Sequence, residues 1–203
     1  MRIGVPREIK TNEHRVGLTP AAVAELTHHG HAVVVESGAG AAIDFADEHY
    51  LAAGADIAAD VAEVFANADL IVKVKEPQPS EVARLRPGQI LFTYLHLAPV
   101  PNLAHALMQL GVSAIAYETV TDGAGALPLL APMSEVAGRM SVQAAAHAME
   151  MDQGGRVLLL CGTAGVASAH VVILGGGVVG TNAARMALGL EARVTVLEAR
   201  LDR

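Results

Sequence analysis

VVILGGGVVG, residues 171–180, is the stretch whose reading decides the fold. An apolar run rich in β-branched residues, Val171 to Leu174, reads as a buried strand, and it passes directly into glycines and then into a helical segment that runs from Val178 to Leu190. Gly175, Gly177 and Gly180 fall in the G-x-G-x-x-G pattern. In a strand-turn-helix setting the first glycine makes the turn, the second lets a pyrophosphate approach the backbone, and the third packs helix on strand. The helix N-terminus then offers unpaired N–H groups to the phosphates. A glycine turn with no ligand is the plainer alternative. A second strand, Arg193 to Leu197, leads to Glu198, where an acidic side chain accepts from both ribose hydroxyls and disfavours a 2′-phosphate, so NAD is the expected cofactor. Arg200 works against that preference.

Toward the N-terminus the same grammar repeats. Expected strands are Arg2 to Val5, Ala32 to Glu36, Leu70 to Val74, Gln89 to Leu95 and Ser113 to Ala116, with helices Pro20 to His29, Asp60 to Ala66, Ser80 to Leu85 and Pro101 to Leu110 between them. The first helix is the clearest, with Thr19 as N-cap, Pro20 at the first helical position and Gly30 as the stop. Alternation of this kind predicts βαβ units around a parallel sheet covered on both faces, which explains strands that are continuously apolar. After Asp122 the texture changes to a glycine- and proline-containing loop, then one long helix, Met133 to Asp152. The expected fold class is therefore α/β: a parallel, doubly wound N-terminal substrate domain, residues 1–132, followed by a connecting helix and a truncated Rossmann-type dinucleotide-binding domain, residues 133–203.

The 203 residues are 52% hydrophobic and 17% charged, enough for a buried core, with a formal net charge of −7. With no Lys/Arg-rich run, neither a nucleic acid nor an anionic membrane surface is the expected partner, and a small molecule fits better. Charged Arg7, Glu8 and Lys10 follow the opening residues at once, unlike a secretory signal, so the cytoplasm is the default location. Residues 157–180 are too interrupted by polar residues and glycine for a spanning helix. The single cysteine, Cys161, reads as a buried thiol in a reducing compartment. His28, His29 and His31 share no helix face and read as surface histidines, and no metal is expected.

In open parallel sheets ligands collect outside the carboxyl ends of the strands. Arg15 follows the first strand by a polar loop, Lys75 ends the third, His96 the fourth and Glu118 the fifth, so all four belong on one rim. The guanidinium fork of Arg15 suits a carboxylate, the ammonium of Lys75 suits a second oxygen, and the imidazole of His96 titrates where it can move protons to and from a carbonyl or carbinol oxygen. Each has a bland alternative: Arg15 solvated among Glu8, Lys10 and Glu13; Lys75 paired with Glu76; His96 a core histidine bonded to backbone. Glu118 reads as a hydrogen-bond anchor without chemistry.

Taken together, RIGVPRE (2–8), NEHRV (12–16), KVKEP (73–77), YLHLA (94–98), MSEVAG (133–138) and LGGGVVG (174–180) resemble the alanine dehydrogenase family over essentially the whole chain. The resemblance implies that Arg15 and Lys75 bind the carboxylate and carbonyl region of pyruvate and that His96 is the proton donor and acceptor. It further implies that Ser134, Val178, Val179 and the loop glycines contact NAD and that Glu198 holds its ribose, with Arg203 standing near the same site where relatives have lysine. The implied reaction is the reversible oxidation of L-alanine to pyruvate and ammonium, in a homo-oligomer, a hexamer by resemblance. The related transhydrogenase α chain shares the opening, the arginine and the glycine loop, but has no counterpart of His96. Family members are longer, and the resemblance places Arg203 just after the second strand of the dinucleotide fold. A non-catalytic remnant that binds small 2-oxo acids or full-length subunits is therefore an alternative, as is a transhydrogenase-like NAD-binding subunit. Departures from the family pattern are CGTA at 161–164, glutamate for aspartate at Glu198 and arginine for lysine at Arg203.

Overall fold

The computed structural model describes residues 1–200, and Arg203 lies outside the described residues. Two compact units divide between Val120 and Thr121, ahead of the boundary expected at residue 132. Among the described residues no helix is long and apolar enough to cross a membrane.

The first unit is built on a six-stranded, all-parallel sheet of β1 (Arg2–Val5), β2 (Ala32–Glu36), β3 (Asp56–Ala58), β4 (Leu70–Val72), β5 (Ile90–Thr93) and β6 (Ser113–Ala116), in the order β3-β2-β1-β4-β5-β6. Its helices are α1 (Pro20–His28), α2 (Asp47–Ala52), α3 (Val61–Asn67), α4 (Pro79–Val82) and α5 (Pro101–Leu110). Strand alternation sorts side chains between two cores: Val33 and Val35 join Ile3, Val5, Val23 and Tyr50, whereas Val34 joins Val64, Phe65, Ile71, Leu91 and Leu107. Two cores on opposite faces are what a doubly wound sheet requires. The order reverses at the β1/β4 pair, so the connections leaving those two strands diverge and open a crevice at their carboxyl ends.

Local chemistry sets the element ends. Thr19 Oγ accepts from the Ala22 N–H at 3.2 Å and Pro20 opens α1, while Gly30, at φ +80°, ends it. Asp60 caps α3 by accepting from the Glu63 N–H at 3.0 Å. Two strands stop earlier than their apolar runs predict. The N–H of Val74 goes to the Glu8 carboxylate at 2.6 Å, and that of Leu95 to the Glu118 carboxylate at 3.1 Å, so β4 and β5 end where acidic side chains take over the backbone donors. The short β3 and α2 have too few residues for a period to declare itself. Their order comes from packing, with Tyr50 and Ala58 fully buried.

The second unit contains α6 (Ala131–Ala148), β7 (His170–Leu174), α7 (Val178–Gly189) and β8 (Arg193–Leu197), with β7 and β8 paired in parallel. The expected continuation of α6 to Asp152 is replaced by a turn, in which the Gly155 N–H bonds the Glu150 carbonyl and the Val157 N–H bonds the Met149 carbonyl. Helix α6 crosses α7 at Gly138, where an added Cβ would lie 2.3 Å from the Val179 carbonyl oxygen. Contrary to the burial expected of it, Cys161 is exposed, because its connector runs over the surface and only Leu160 of the apolar run 157–160 is buried.

Phe65 is 1% exposed in the middle of the first unit's larger core. Phe65→Ala is expected to cost about 3–5 kcal/mol, read as a lower urea midpoint at unchanged slope.

Candidate active site

The loop after β1 carries Glu8, Glu13 and Arg15 across the carboxyl ends of β1 and β4. It is seated closely: a Cβ at Gly17 would fall 2.5 Å from the Val72 carbonyl oxygen. Glu8 anchors it. One oxygen accepts from the N–H groups of Val74 at 2.6 Å and Lys75 at 3.3 Å, and the other pairs with the Lys73 ammonium at 3.2 Å. Lys73 has no exposed side-chain surface and also meets Glu81 of α4 at 2.6 Å, while Glu81 accepts from the Gln78 N–H at 2.8 Å. This buried triad was not anticipated from sequence. The signal was available, since a lysine inside the apolar run LIVKV must find a partner if buried.

Arg15 is half-buried and its fork lies against Glu13, with Nε to Oε1 at 2.9 Å and a terminal nitrogen to Oε2 at 2.6 Å; its backbone N–H also bonds Oε1, at 2.9 Å. The Arg15 side-chain bond, opposed by burial and assisted by the Arg15 N–H and by the charges of Arg15 and Lys75, holds the Glu13 carboxyl down at about 2. The same pairing makes Arg15 hold its proton more tightly. Arg15 is thus part-exposed but held by Glu13.

His96 sits beyond the end of β5 with its side chain exposed in a cleft of about 700 Å³ that also presents Lys10, Glu76 and Glu118. Its ring stacks on Tyr94, centroids 5.9 Å apart and planes within 9°. Tyr94 is in turn electrostatically coupled to Arg15, and Glu13 to Lys75. Arg15, Lys75 and His96 thus each lie just beyond the carboxyl end of one of the adjacent strands β1, β4 and β5, with Arg15 lining a cleft of about 310 Å³ beside Glu8, Glu13 and His14 that is distinct from the one His96 lines. Burial raises the Tyr94 hydroxyl above its ordinary range, against the Arg15 charge. The backbone of His96 is left-handed, φ +47°, a conformation costing a non-glycine residue roughly 1–3 kcal/mol. Glu118 anchors that turn by accepting from the His96 N–H at 2.7 Å. Glu76 pairs with Lys10, not with Lys75. Burial opposes its charge, but the Lys10 bond, a backbone N–H and the Lys10 and His96 charges outweigh burial and hold the carboxyl below its usual range. Its Oε2 is buried without a hydrogen-bond partner.

In the second unit, Ser134 of α6 faces the same cleft as Gly175, Gly177, Val178, Val179 and Gly180, with a volume of about 560 Å³. Gly175 has φ +98°, which favours glycine, and a Cβ on Gly180 would lie 1.8 Å from the Gly175 carbonyl oxygen. Gly177 is the N-cap of α7 and no side chain caps that end, so the first-turn N–H groups remain for an anion. These residues fit the pyrophosphate of a dinucleotide. Glu198 reaches back to the loop, accepting from the Gly176 N–H, and also accepts from the Arg200 N–H at 3.0 Å. Among the described residues no group of His, Cys, Asp and Glu could hold a metal ion.

A parallel sheet wound on both faces, with a polar rim at its switch point, followed by a glycine-loop unit, is the arrangement of a dinucleotide-binding class of protein. Comparison with known proteins specifies it further. The family model for the alanine dehydrogenase/PNT N-terminal domain matches residues 4–137, and that for the C-terminal domain matches residues 141–203. The chain belongs to the alanine dehydrogenase/PNT family. It is 57% identical over its whole length to the alanine dehydrogenase of Halomonas elongata, of which it covers 55%. Among solved structures, an L-alanine dehydrogenase superposes on all of this chain with a TM-score of 0.92 at 50% identity, over 56% of its own length. The transhydrogenase from Sinorhizobium meliloti does so with 0.83 at 28% identity, over 60% of its length. The chain spans about half the length of the curated relatives it matches.

Two outcomes follow for the rim. Glu13 titrates near 2 in the folded chain, below the roughly 4.3 of an unfolded glutamate. Because the folded value is the lower one, the Arg15 pairing supports the fold above the unfolded value and is lost as the pH falls towards 2. In Arg15→Ala the Glu13 carboxyl-carbon titration is expected to move up towards the ordinary value. Lys73→Met strands two buried carboxylates and is expected to cost about 3–5 kcal/mol, measured by denaturant unfolding at neutral pH.

Proposed function

We propose that this chain carries the substrate-handling part of an NAD-dependent alanine dehydrogenase, which interconverts L-alanine and pyruvate plus ammonium. The observation that carries the reading is the placement of Arg15, Lys75 and His96 just beyond the carboxyl ends of the adjacent strands β1, β4 and β5, with the reversal of sheet order between β1 and β4. The greater likeness to L-alanine dehydrogenase than to transhydrogenase favours it over a transhydrogenase-like subunit. In this reading residues 1–132 form the substrate domain, and residues 133–203 form the connecting helix and the opening of the NAD-binding domain. The assembly is a cytoplasmic homo-oligomer.

Arg15, its plane already set by Glu13, takes the substrate carboxylate through paired hydrogen bonds, and Lys75 supplies a point charge for the oxygen on the neighbouring carbon. His96 moves the proton at that oxygen: as base it deprotonates the water that adds to the imine carbon, and as acid it returns the proton when ammonia departs or the carbonyl is attacked. When bound, a nicotinamide dinucleotide would supply the hydride acceptor for Cα. Ser134, Gly175, Gly177, Val178, Val179 and Gly180 would hold its pyrophosphate, and Glu198 its ribose. Arg203, outside the described residues, belongs to the same assignment.

Pyruvate titrated into the chain and followed by amide chemical shifts is expected to bind saturably, with binding weakened about tenfold or more in Arg15→Ala or Lys75→Ala. Alanine-dependent NADH formation is expected to disappear in His96→Ala while pyruvate binding survives. Absence of pyruvate binding, or binding indifferent to Arg15 and Lys75, overturns the assignment. Binding without turnover identifies a chain that holds the substrate without completing the reaction.

A further inference from the structure

We propose that Glu118 is the positioning residue for His96, holding residues 95 and 96 in the left-handed turn that presents the imidazole to the cleft. The inference rests on the reading of His96 as the proton-transfer group and names what keeps that group aimed. His96 is among the few non-glycine residues with positive φ, +47°, and such a turn persists only where its surroundings over-determine it. Glu118 supplies that restraint. Its Oε1 accepts from the His96 N–H at 2.7 Å and the Leu95 N–H at 3.1 Å, and its Oε2 lies 3.3 Å from the same Leu95 nitrogen.

The restraint is itself anchored. Glu118 sits on the single helical turn Tyr117–Thr119, and the Tyr117 ring meets Phe92 edge-on at 4.3 Å and Tyr94 at 5.0 Å, fixing that turn to β5. Leu95, 1% exposed, closes the assembly from the core side. With the backbone held on both sides, the His96 ring lies parallel to Tyr94, in the cleft shared with Lys10 and Glu76. If residue 96 relaxed to negative φ, its Cα–Cβ bond would turn away and the stack on Tyr94 would be lost.

One oxygen receives both close N–H bonds, so an amide at position 118 can reproduce them with its carbonyl oxygen, whereas a methyl group cannot. Geometry and charge therefore separate experimentally. In the 203-residue chain, the ring protons of His96 should be shifted upfield by the Tyr94 stack. That signature should persist in Glu118→Gln and largely vanish in Glu118→Ala. If the alanine variant keeps it, or the glutamine variant loses it equally, the proposal is overturned.

Where the chain turns over alanine, kcat should fall by about 10–100-fold in Glu118→Ala. The pyruvate affinity should stay within about twofold, because an aimed proton donor contributes to the reaction and not to ground-state binding. Glu118→Gln should restore the rate. A fall in affinity matching the fall in kcat would instead mark Glu118 as part of the substrate pocket and overturn the positioning role. If His96→Ala leaves turnover intact, the proton-transfer reading fails, and the ring-proton signature alone decides whether Glu118 restrains the turn. Should Glu118→Ala prove unstable, His96→Gly provides a second measurement, since glycine adopts positive φ without strain. Glu118→Ala should then lower the Tm less in the His96→Gly background than in the wild type, and equal losses in both would overturn the proposal.

Discussion

The rim depends on one buried ammonium. Lys73 has no side-chain exposure, and it joins Glu8 in the loop after β1 to Glu81 in α4. An unpaired charge in that position would be costly to desolvate, and the two carboxylates offset that cost. The surplus negative charge is met by backbone N–H groups of Val74, Lys75 and Gln78. Two side chains from distant parts of the sequence are thereby tied to the end of β4, and everything after Glu8 in its loop, Arg15 included, inherits that position. Replacing the triad by apolar groups would fill the same space but would remove the bonds that register the loop against the strand.

A second regularity governs where the strands stop. Glu8 at β4 and Glu118 at β5 each take backbone donors that would otherwise continue the ladder, and the residues just beyond are Lys75 and His96, the two proposed to meet the substrate oxygen. Ending a strand with a carboxylate releases the following residue from the sheet's extended geometry while keeping its backbone satisfied. The left-handed conformation of His96 is the extreme case. At the switch between β1 and β4 the diverging connections leave room for a ligand, so the polar groups face a crevice and not the side of a neighbouring strand.

The second unit shows the same principle at the level of the backbone. Gly175 supplies a turn that side chains disfavour, Gly180 lets α7 approach that turn, and Gly138 lets α6 approach α7. Close approach leaves the N-terminus of α7, which no side chain caps, beside the cleft that Ser134 lines.

Much of this was legible in the sequence. Apolar runs located β1, β2, β6, β7 and β8; Thr19, Pro20 and Gly30 bounded α1; and the glycine spacing marked the turn between β7 and α7, because each of these signals is carried by adjacent residues. The parallel alternation also implied that Arg15, Lys75 and His96 share one rim. Hidden from the sequence were β3 and α2, too short for a period; the exposure of Cys161, whose apolar neighbours gave no hint of a surface path; and every pairing between distant residues. That Glu13 holds the Arg15 fork, that Lys10 and not Lys75 neutralises Glu76, and that Glu118 twists His96 into a left-handed turn all follow from which side chains meet across the closed sheet. Local preference acts between neighbours in the chain, but hydrogen bonds and burial act between neighbours in space, and only the folded chain determines who those are.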